Sequence, residues 1–109
     1  MTTTANPVGW GTTVSTTSGL VLPANPSRTG LIFYNSSTGV AIAVCPAVVN
    51  VGSFGVYPGF QLGVAVINGA GSITLQPGDK FIIDNLSCSS AWNGIASAAG
   101  GTLTFLDFI

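Results

Sequence analysis

The chain has 109 residues, with 2 basic and 3 acidic side chains, no His and a formal net charge of -1. Charged residues make up 5% of it, against roughly 25% in a typical globular domain, while hydrophobic residues make up 47%. This composition excludes an intrinsically disordered chain. Because two cations cannot neutralise a row of phosphates, we also expect no nucleic-acid partner.

Alternation of apolar and polar residues predicts strands rather than helices. Leu103 and Phe105, for example, alternate with Thr102 and Thr104. In chain order, strands are predicted at residues 11–16, 20–22, 30–35, 40–45, 63–68, 72–75, 80–84, 91–96 and 102–108. Residues typical of turns separate them, at positions 25–26, 35–37, 68–71, 76–79 and 100–101. We therefore predict an all-β fold, an antiparallel β-sandwich of the jelly-roll kind.

The first 18 residues are rich in Thr and have almost no aliphatic core residues. We divide the chain into an extended N-terminal arm at residues 1–18 and a β-sandwich domain at residues 19–109. The arm docks on another subunit in one interpretation and is an edge strand of the same sandwich in the other. Trp10, placed between Gly9 and Gly11, is correspondingly either an anchor on a neighbour or a residue packed on its own domain.

Two predicted strands, at residues 31–34 and 64–67, are apolar on both faces. The outer face of an antiparallel sandwich is normally polar, so a second apolar face needs a cover. A neighbouring subunit would provide one, and so would residues 46–62 of the same chain. With so few charges, most of the surface is free to enter an interface without desolvating an ion. These features favour a subunit that is covered by its neighbours.

The residues for catalysis and metal binding are nearly all missing. The chain has no His, and its three carboxylates are Asp79, Asp84 and Asp107. The spacing of these carboxylates matches no calcium-binding loop. Lys80 beside Asp79 is interpreted as a solvated pair at a turn. A nucleophile needs a base close to it, so we expect no enzyme, no cofactor and no metal.

The two cysteines, Cys45 and Cys88, are too far apart in sequence for a zinc site. A disulfide is possible in principle, but two reduced and packed thiols fit a cytoplasmic chain better. No signal-like N-terminal segment and no stretch of about 20 apolar residues is present. We therefore expect synthesis and folding in a cytoplasm and no membrane association.

Five residues are candidates for an interface. Flat aromatic rings can stack on sugars, but they also serve core packing and subunit contact. A guanidinium that precedes a strand can tie loop carbonyls or a carboxylate together, or it can make an interface contact. The candidates are Trp10, Arg28, Tyr34, Tyr57 and Trp92.

Three segments together resemble small virion proteins of tailed bacteriophages. The first is LPANPSRTGLIFYN at residues 22–35, with an Ala-Asn-Pro turn and Arg leading into a strand. The second is the turn LQPG at residues 75–78, and the third is GIASAAGGTLT at residues 94–104. The resemblance covers residues 20–109. It implies a β-sandwich or jelly-roll module of a phage particle, with no catalytic residues.

The resemblance leads to a functional hypothesis. The protein would be a capsid cement or decoration protein, located in the virion after assembly in the host bacterial cytoplasm. Its partners would be the major capsid protein and copies of itself, with a homotrimer favoured. The alternative is a tail or fibre module that binds host-surface glycan through Trp92 or Tyr57.

Overall fold

The computed structural model describes residues 7–47, 64–83 and 90–109. These ranges contain eight β-strands and no helix. The strands are β1 (Pro7–Val14), β2 (Gly19–Leu22), β3 (Gly30–Asn35), β4 (Ile42–Pro46), β5 (Ile73–Leu75), β6 (Lys80–Ile83), β7 (Trp92–Ala96) and β8 (Gly101–Phe108). They form two four-stranded sheets, and every pair is antiparallel. The prediction of an all-β antiparallel sandwich is confirmed.

The two halves of the chain pair with each other in reverse order. The first sheet has the order β1-β8-β3-β6, and the second has the order β2-β7-β4-β5. β1 therefore lies beside β8, β2 beside β7, β3 beside β6 and β4 beside β5. Each strand lies in the other sheet from the strand before it, except that β4 and β5 lie in the same sheet. The chain thus resembles one long hairpin that has been rolled into two layers.

The core lies between the inner faces of the sheets. In β3 the inward positions hold Leu31, Phe33 and Asn35, all buried, while the intervening residues are less buried or exposed. Phe33 contacts Phe105 within its own sheet and the edge of Trp92 in the opposite sheet, with ring centroids 5.3 Å and 5.2 Å apart. One face of β3 therefore enters the core, although residues 31–34 are apolar on both faces in the sequence.

Part of the predicted arm is a strand. Residues 7–14 form β1, which lies at the edge of the first sheet and pairs with β8 from Pro7 opposite Phe108 to Val14 opposite Gly101. Of the two interpretations of this segment, the structure shows these residues as an edge strand of their own sandwich. Residues 1–6 of the predicted arm lie outside the described residues.

The predicted strand at residues 63–68 is wrong for the part that the structure describes. Residues 64–68, which we call the strap, form an irregular segment that ends in a turn. Their backbone N–H groups donate to side-chain hydroxyls instead of a strand ladder. Ala65 donates to Ser18 (2.9 Å), Val66 to Ser72 (3.1 Å) and Asn68 to Thr74 (2.8 Å). These hydroxyls satisfy the backbone, so no neighbouring strand is needed.

The turn predicted at residues 76–79 is present and is tied to β3. Asp79 N–H donates to the Gln76 carbonyl, and Gly78 has a φ of 88°, as the third residue of a type II turn requires. The Asn35 backbone exchanges hydrogen bonds with Gly78 and Asp79. Its buried side-chain amide donates to the carbonyls of Val40 and Leu75, each at 2.8 Å. Asn35 therefore links the loop between β3 and β4, the end of β5 and the turn between β5 and β6.

Candidate functional site

Trp10 packs on its own domain. Its ring lies 4.5 Å from that of Phe105, measured between centroids, and it is partly buried against the core. The indole Nε1–H donates to Asp107 Oδ2 at 3.2 Å. Both contacts join β1 to β8, so Trp10 holds the edge strand in the first sheet.

Arg28 lies inside the molecule in a buried ion pair. Its Nε lies 3.1 Å from Asp107 Oδ1, and the two side chains are 2% and 8% exposed. The two Nη groups donate to the carbonyls of Ser90 (3.2 Å) and Pro23 (3.1 Å). The guanidinium thus ties loop carbonyls and a carboxylate together. This is the first of the two roles that the sequence analysis considered for Arg28. Its burial leaves little of Arg28 for an interface contact.

Asp107 is the partner that sequence reasoning missed. It lies 79 positions from Arg28, and it was recognised only as one of three carboxylates. Its inward direction was available from the alternation of β8, where Leu103, Phe105 and Asp107 share the buried face. A buried carboxylate needs a positive partner, and Arg28 and Lys80 are the two cations in the chain.

Trp92 and Tyr57, the residues assigned to glycan stacking, do not form a surface platform in the described structure. Trp92 is 4% exposed, and its ring meets Phe33 and Phe81 edge to face. A sugar cannot stack on a ring that the core already covers. Tyr57 lies outside the described residues.

The outer face of the first sheet presents an apolar row. Strand register places Ile32 opposite Leu106 on one side and opposite Ile82 on the other. Ile82 is 64% exposed, while Ile32 and Leu106 are half-buried. The apolar row is defined as Leu106, Ile32 and Ile82. Tyr34, the remaining interface candidate from the sequence, is exposed on the same face.

The outer face of the second sheet is covered along β4. Ala43 and Cys45 alternate with the core residues of β4 and therefore point outward, yet both are buried. The strap lies against this side, because Val66 is bound to Ser72 and Ser72 hydrogen-bonds Cys45. Ala65 of the strap is fully buried. The cover expected from residues 46–62 lies outside the described residues from position 48 onward.

Cys45 is a free, buried thiol. Burial raises the pKa of the Cys45 thiol above its ordinary value, and the hydrogen bond with Ser72 offsets part of this rise. The neutral thiol is therefore the favoured form in the folded protein. Cys88, the other cysteine considered in the sequence, lies outside the described residues.

The remaining described charges lie at the surface. Asp79 and Lys80 are exposed at the turn before β6, where Asp79 Oδ2 accepts a hydrogen bond from Gln76 N–H. Asp84 lies outside the described residues. Across residues 7–47, 64–83 and 90–109, no three His, Cys, Asp or Glu side chains are grouped to hold a metal, and no helix is long and apolar enough to cross a membrane.

Comparisons with known proteins yield no relative. No family model matches the chain, no curated protein is significantly similar to it, and no solved structure matches it. Its function must therefore be argued from the arrangement of its own residues.

Proposed function

We propose that this protein is a structural subunit that joins neighbouring subunits through the outer face of its first sheet. The apolar row carries the proposal, because it places three large aliphatic side chains side by side on a solvent-facing sheet. Burying one such side chain stabilises a contact by about 1.5–3 kcal/mol. Contiguous exposed apolar surface of this kind is typical of interaction sites.

The chemistry around the row favours a neutral partner surface. Thr104 and Tyr34 form the next cross-strand pair on the same face, and Lys80, opposite Tyr34 on β6, is the charged residue there among those described. Lys80 is exposed at the edge strand, so its ammonium can stay in water when the row is covered. A neighbour of similar texture, such as another copy of this chain, needs no complementary charge.

The strand order and the phage-like sequence segments support a more specific proposal. Nested pairing of the eight described strands in two sheets supports the jelly-roll interpretation, and jelly rolls are used by viral capsid proteins. We propose a virion protein of a tailed bacteriophage that cements or decorates the capsid. Its partners in this proposal are the major capsid protein and two further copies of itself in a trimer.

The decisive experiment compares two equally exposed residues on opposite faces. Ile82 (64% exposed) lies in the apolar row, and Leu20 (62% exposed) lies on the second sheet. We expect Ile82→Glu to reduce the native mass of the purified protein to that of a monomer, while Leu20→Glu leaves the oligomer intact. Mass photometry or light scattering provides the measurement, with circular dichroism as a check on folding.

Cryo-microscopy of the parent particle tests the location. We expect density for this chain on the capsid, with the first sheet facing a neighbouring subunit. A wild-type monomer at high concentration, together with a particle that lacks the chain, would show that both the interface and the virion proposal are wrong. An oligomer found without the chain in the particle would contradict the virion proposal alone.

A further inference from the structure

A shallow groove lies on the same face as the apolar row and beside it, toward the N-terminal end of β8. Its volume is about 260 Å³. It is lined by Gly11, Thr12, Thr13, Ser36, Thr102, Leu103 and Thr104. We propose that this groove binds one unit of a neutral saccharide. The inference goes beyond the proposed function, since none of the lining residues belongs to the apolar row.

The lining carries hydroxyl groups and no charge. Hydroxyls both donate and accept hydrogen bonds, as the hydroxyls of a sugar do. With no cation in the lining, an anionic ligand such as a phosphate has no counter-charge there. The methyl groups of the threonines supply apolar contact for the C–H groups of a sugar ring. A neutral, polyhydroxylated ligand is therefore the class that matches the groove.

The hydroxyls are held in place by the fold. Thr104 Oγ1 donates to Ser36 Oγ at 3.0 Å, and Ser36 N–H donates to the Thr102 carbonyl at 3.2 Å. Ser37 reinforces the same junction, because its Oγ accepts from Thr102 N–H at 2.7 Å and donates to the Thr102 carbonyl at 3.1 Å. Groups that are ordered before binding lose little entropy when a ligand arrives.

An aromatic residue is the neighbour of one lining residue. Tyr34 is 38% exposed and is the direct cross-strand partner of Thr104 on the outer face. Side chains of such partners lie about 5 Å apart at Cβ, so Tyr34 and Thr104 are neighbours on this face. An exposed aromatic face next to hydroxyls offers both stacking and hydrogen bonding to one sugar unit. The volume is slightly below the ~300–1,000 Å³ of drug-sized pockets, which suits a single unit.

Gly11 keeps the floor of the groove open. A Cβ at this position would have the Leu103 carbonyl oxygen at 3.4 Å and Thr104 Oγ1 at 3.9 Å as its nearest neighbours, which are ordinary contacts. A larger side chain therefore fits sterically and would occupy the space above the strand. Glycine also weakens a strand interior, so the fold itself does not favour it at this position.

The experiment titrates the full-length protein with glucose, galactose and N-acetylglucosamine, and follows backbone amide signals by NMR. We expect shifts confined to amides of the groove. Gly11→Leu fills the floor and should weaken binding by about tenfold or more. Gly9→Leu is the matched control, because Gly9 lies on the same strand and face, and its Cβ would meet Leu106 Cδ1 at 3.7 Å. This control should bind as the wild type does.

A second variant keeps the shape of the groove. Thr104→Val removes one hydroxyl but no volume, and we expect binding to weaken by about three- to tenfold. The proposal is overturned if none of the three sugars shifts the groove amides at tens of millimolar, or if both Gly11→Leu and Thr104→Val bind like the wild type. Ile82→Glu should still bind sugar, so loss of assembly and loss of sugar binding are distinguishable.

Discussion

The two outer faces of the sandwich solve the same problem differently. Each sheet has apolar residues that point away from the core. On the second sheet, Ala43 and Cys45 are buried, and the strap hydrogen-bonds to Ser72, which is the hydrogen-bond partner of Cys45. On the first sheet, Ile82 remains largely exposed and Ile32 half-buried.

The difference teaches that an apolar outer position does not by itself indicate an interface. The covered face uses small side chains, Ala43 and Ala65, which allow two segments to approach closely. The open face uses large aliphatic side chains, which protrude and have more area to bury against another molecule. At the positions compared, small side chains lie where the chain covers itself, and large aliphatic side chains lie where it does not.

The largest effect on the free energy of unfolding is expected at the buried ion pair between Arg28 and Asp107. Asp107→Asn leaves the buried Arg28 guanidinium without its counter-charge, and we expect a loss of about 3–5 kcal/mol in unfolding free energy. Urea unfolding followed by Trp fluorescence measures it. Asp79→Asn, at an exposed turn, is the control and should change stability by about 0.5 kcal/mol or less. Equal losses in the two variants would contradict a structural role for the ion pair.

Introducing a glutamate on each of the two faces tests whether one is covered and the other is open. Ala65→Glu forces a carboxylate under the strap, where Ala65 is fully buried, and should cost about 3 kcal/mol or more. Ile82→Glu places it in solvent and should change stability by about 1 kcal/mol or less. Chemical denaturation of both variants, measured as monomers, provides the numbers. If Ala65→Glu proves as stable as Ile82→Glu, the second face is not covered as described.

A smaller effect is expected from loosening the strap. Ser72→Ala removes the acceptor for Val66 N–H and the partner of Cys45, and should cost about 1 kcal/mol. It should also make the Cys45 thiol react faster with a thiol reagent, because the cover opens more often. Both proteins compared carry Cys88→Ser, so that Cys45 is the one thiol whose reaction rate is measured. An unchanged reaction rate would show that the strap does not protect Cys45.

The smallest effect concerns pH. Burial raises the pKa of Cys45 in the folded state above that in the unfolded chain. Its contribution to stability is therefore fully present below the unfolded thiol pKa of about 8.5, and is lost as the pH rises through the folded value. Wild type should lose more stability than Cys45→Ala between pH 8 and alkaline pH, measured by urea unfolding under reducing conditions. Parallel declines would exclude Cys45 as the cause.

The regular part of the fold could be predicted from local patterns. Alternation in β8 identified the strand and its core positions Leu103 and Phe105, and the Pro-Gly sequence identified the turn at residues 76–79. Trp10 in β1 and Arg28 before β3 were recognised as important, but their roles depend on Asp107, which is distant in sequence. Local sequence patterns carry no information about such a pairing.

The strap shows where pattern reasoning fails. All four residues from Val64 to Ile67 are apolar, so a strand with two apolar faces was predicted. In the structure the valines are 49% and 47% exposed, and Ala65 is the buried residue. Ser18 in a distant loop accepts the Ala65 N–H, which removes the need for a strand partner. Small buried residues and long-range hydroxyl contacts leave no periodic signal.

The reverse-order pairing of the two halves has a consequence for how the chain acquires its shape. β1 cannot pair with β8 until the residues up to Phe108 have been synthesised. Even the innermost pair, β4 and β5, has 26 residues between Pro46 and Ile73. Folds dominated by such distant pairings reach the native state in milliseconds to seconds, far more slowly than helical bundles. During that interval the aliphatic strands are unpaired, so a low concentration of newly made chains, or a chaperone, favours recovery of the native protein over aggregation.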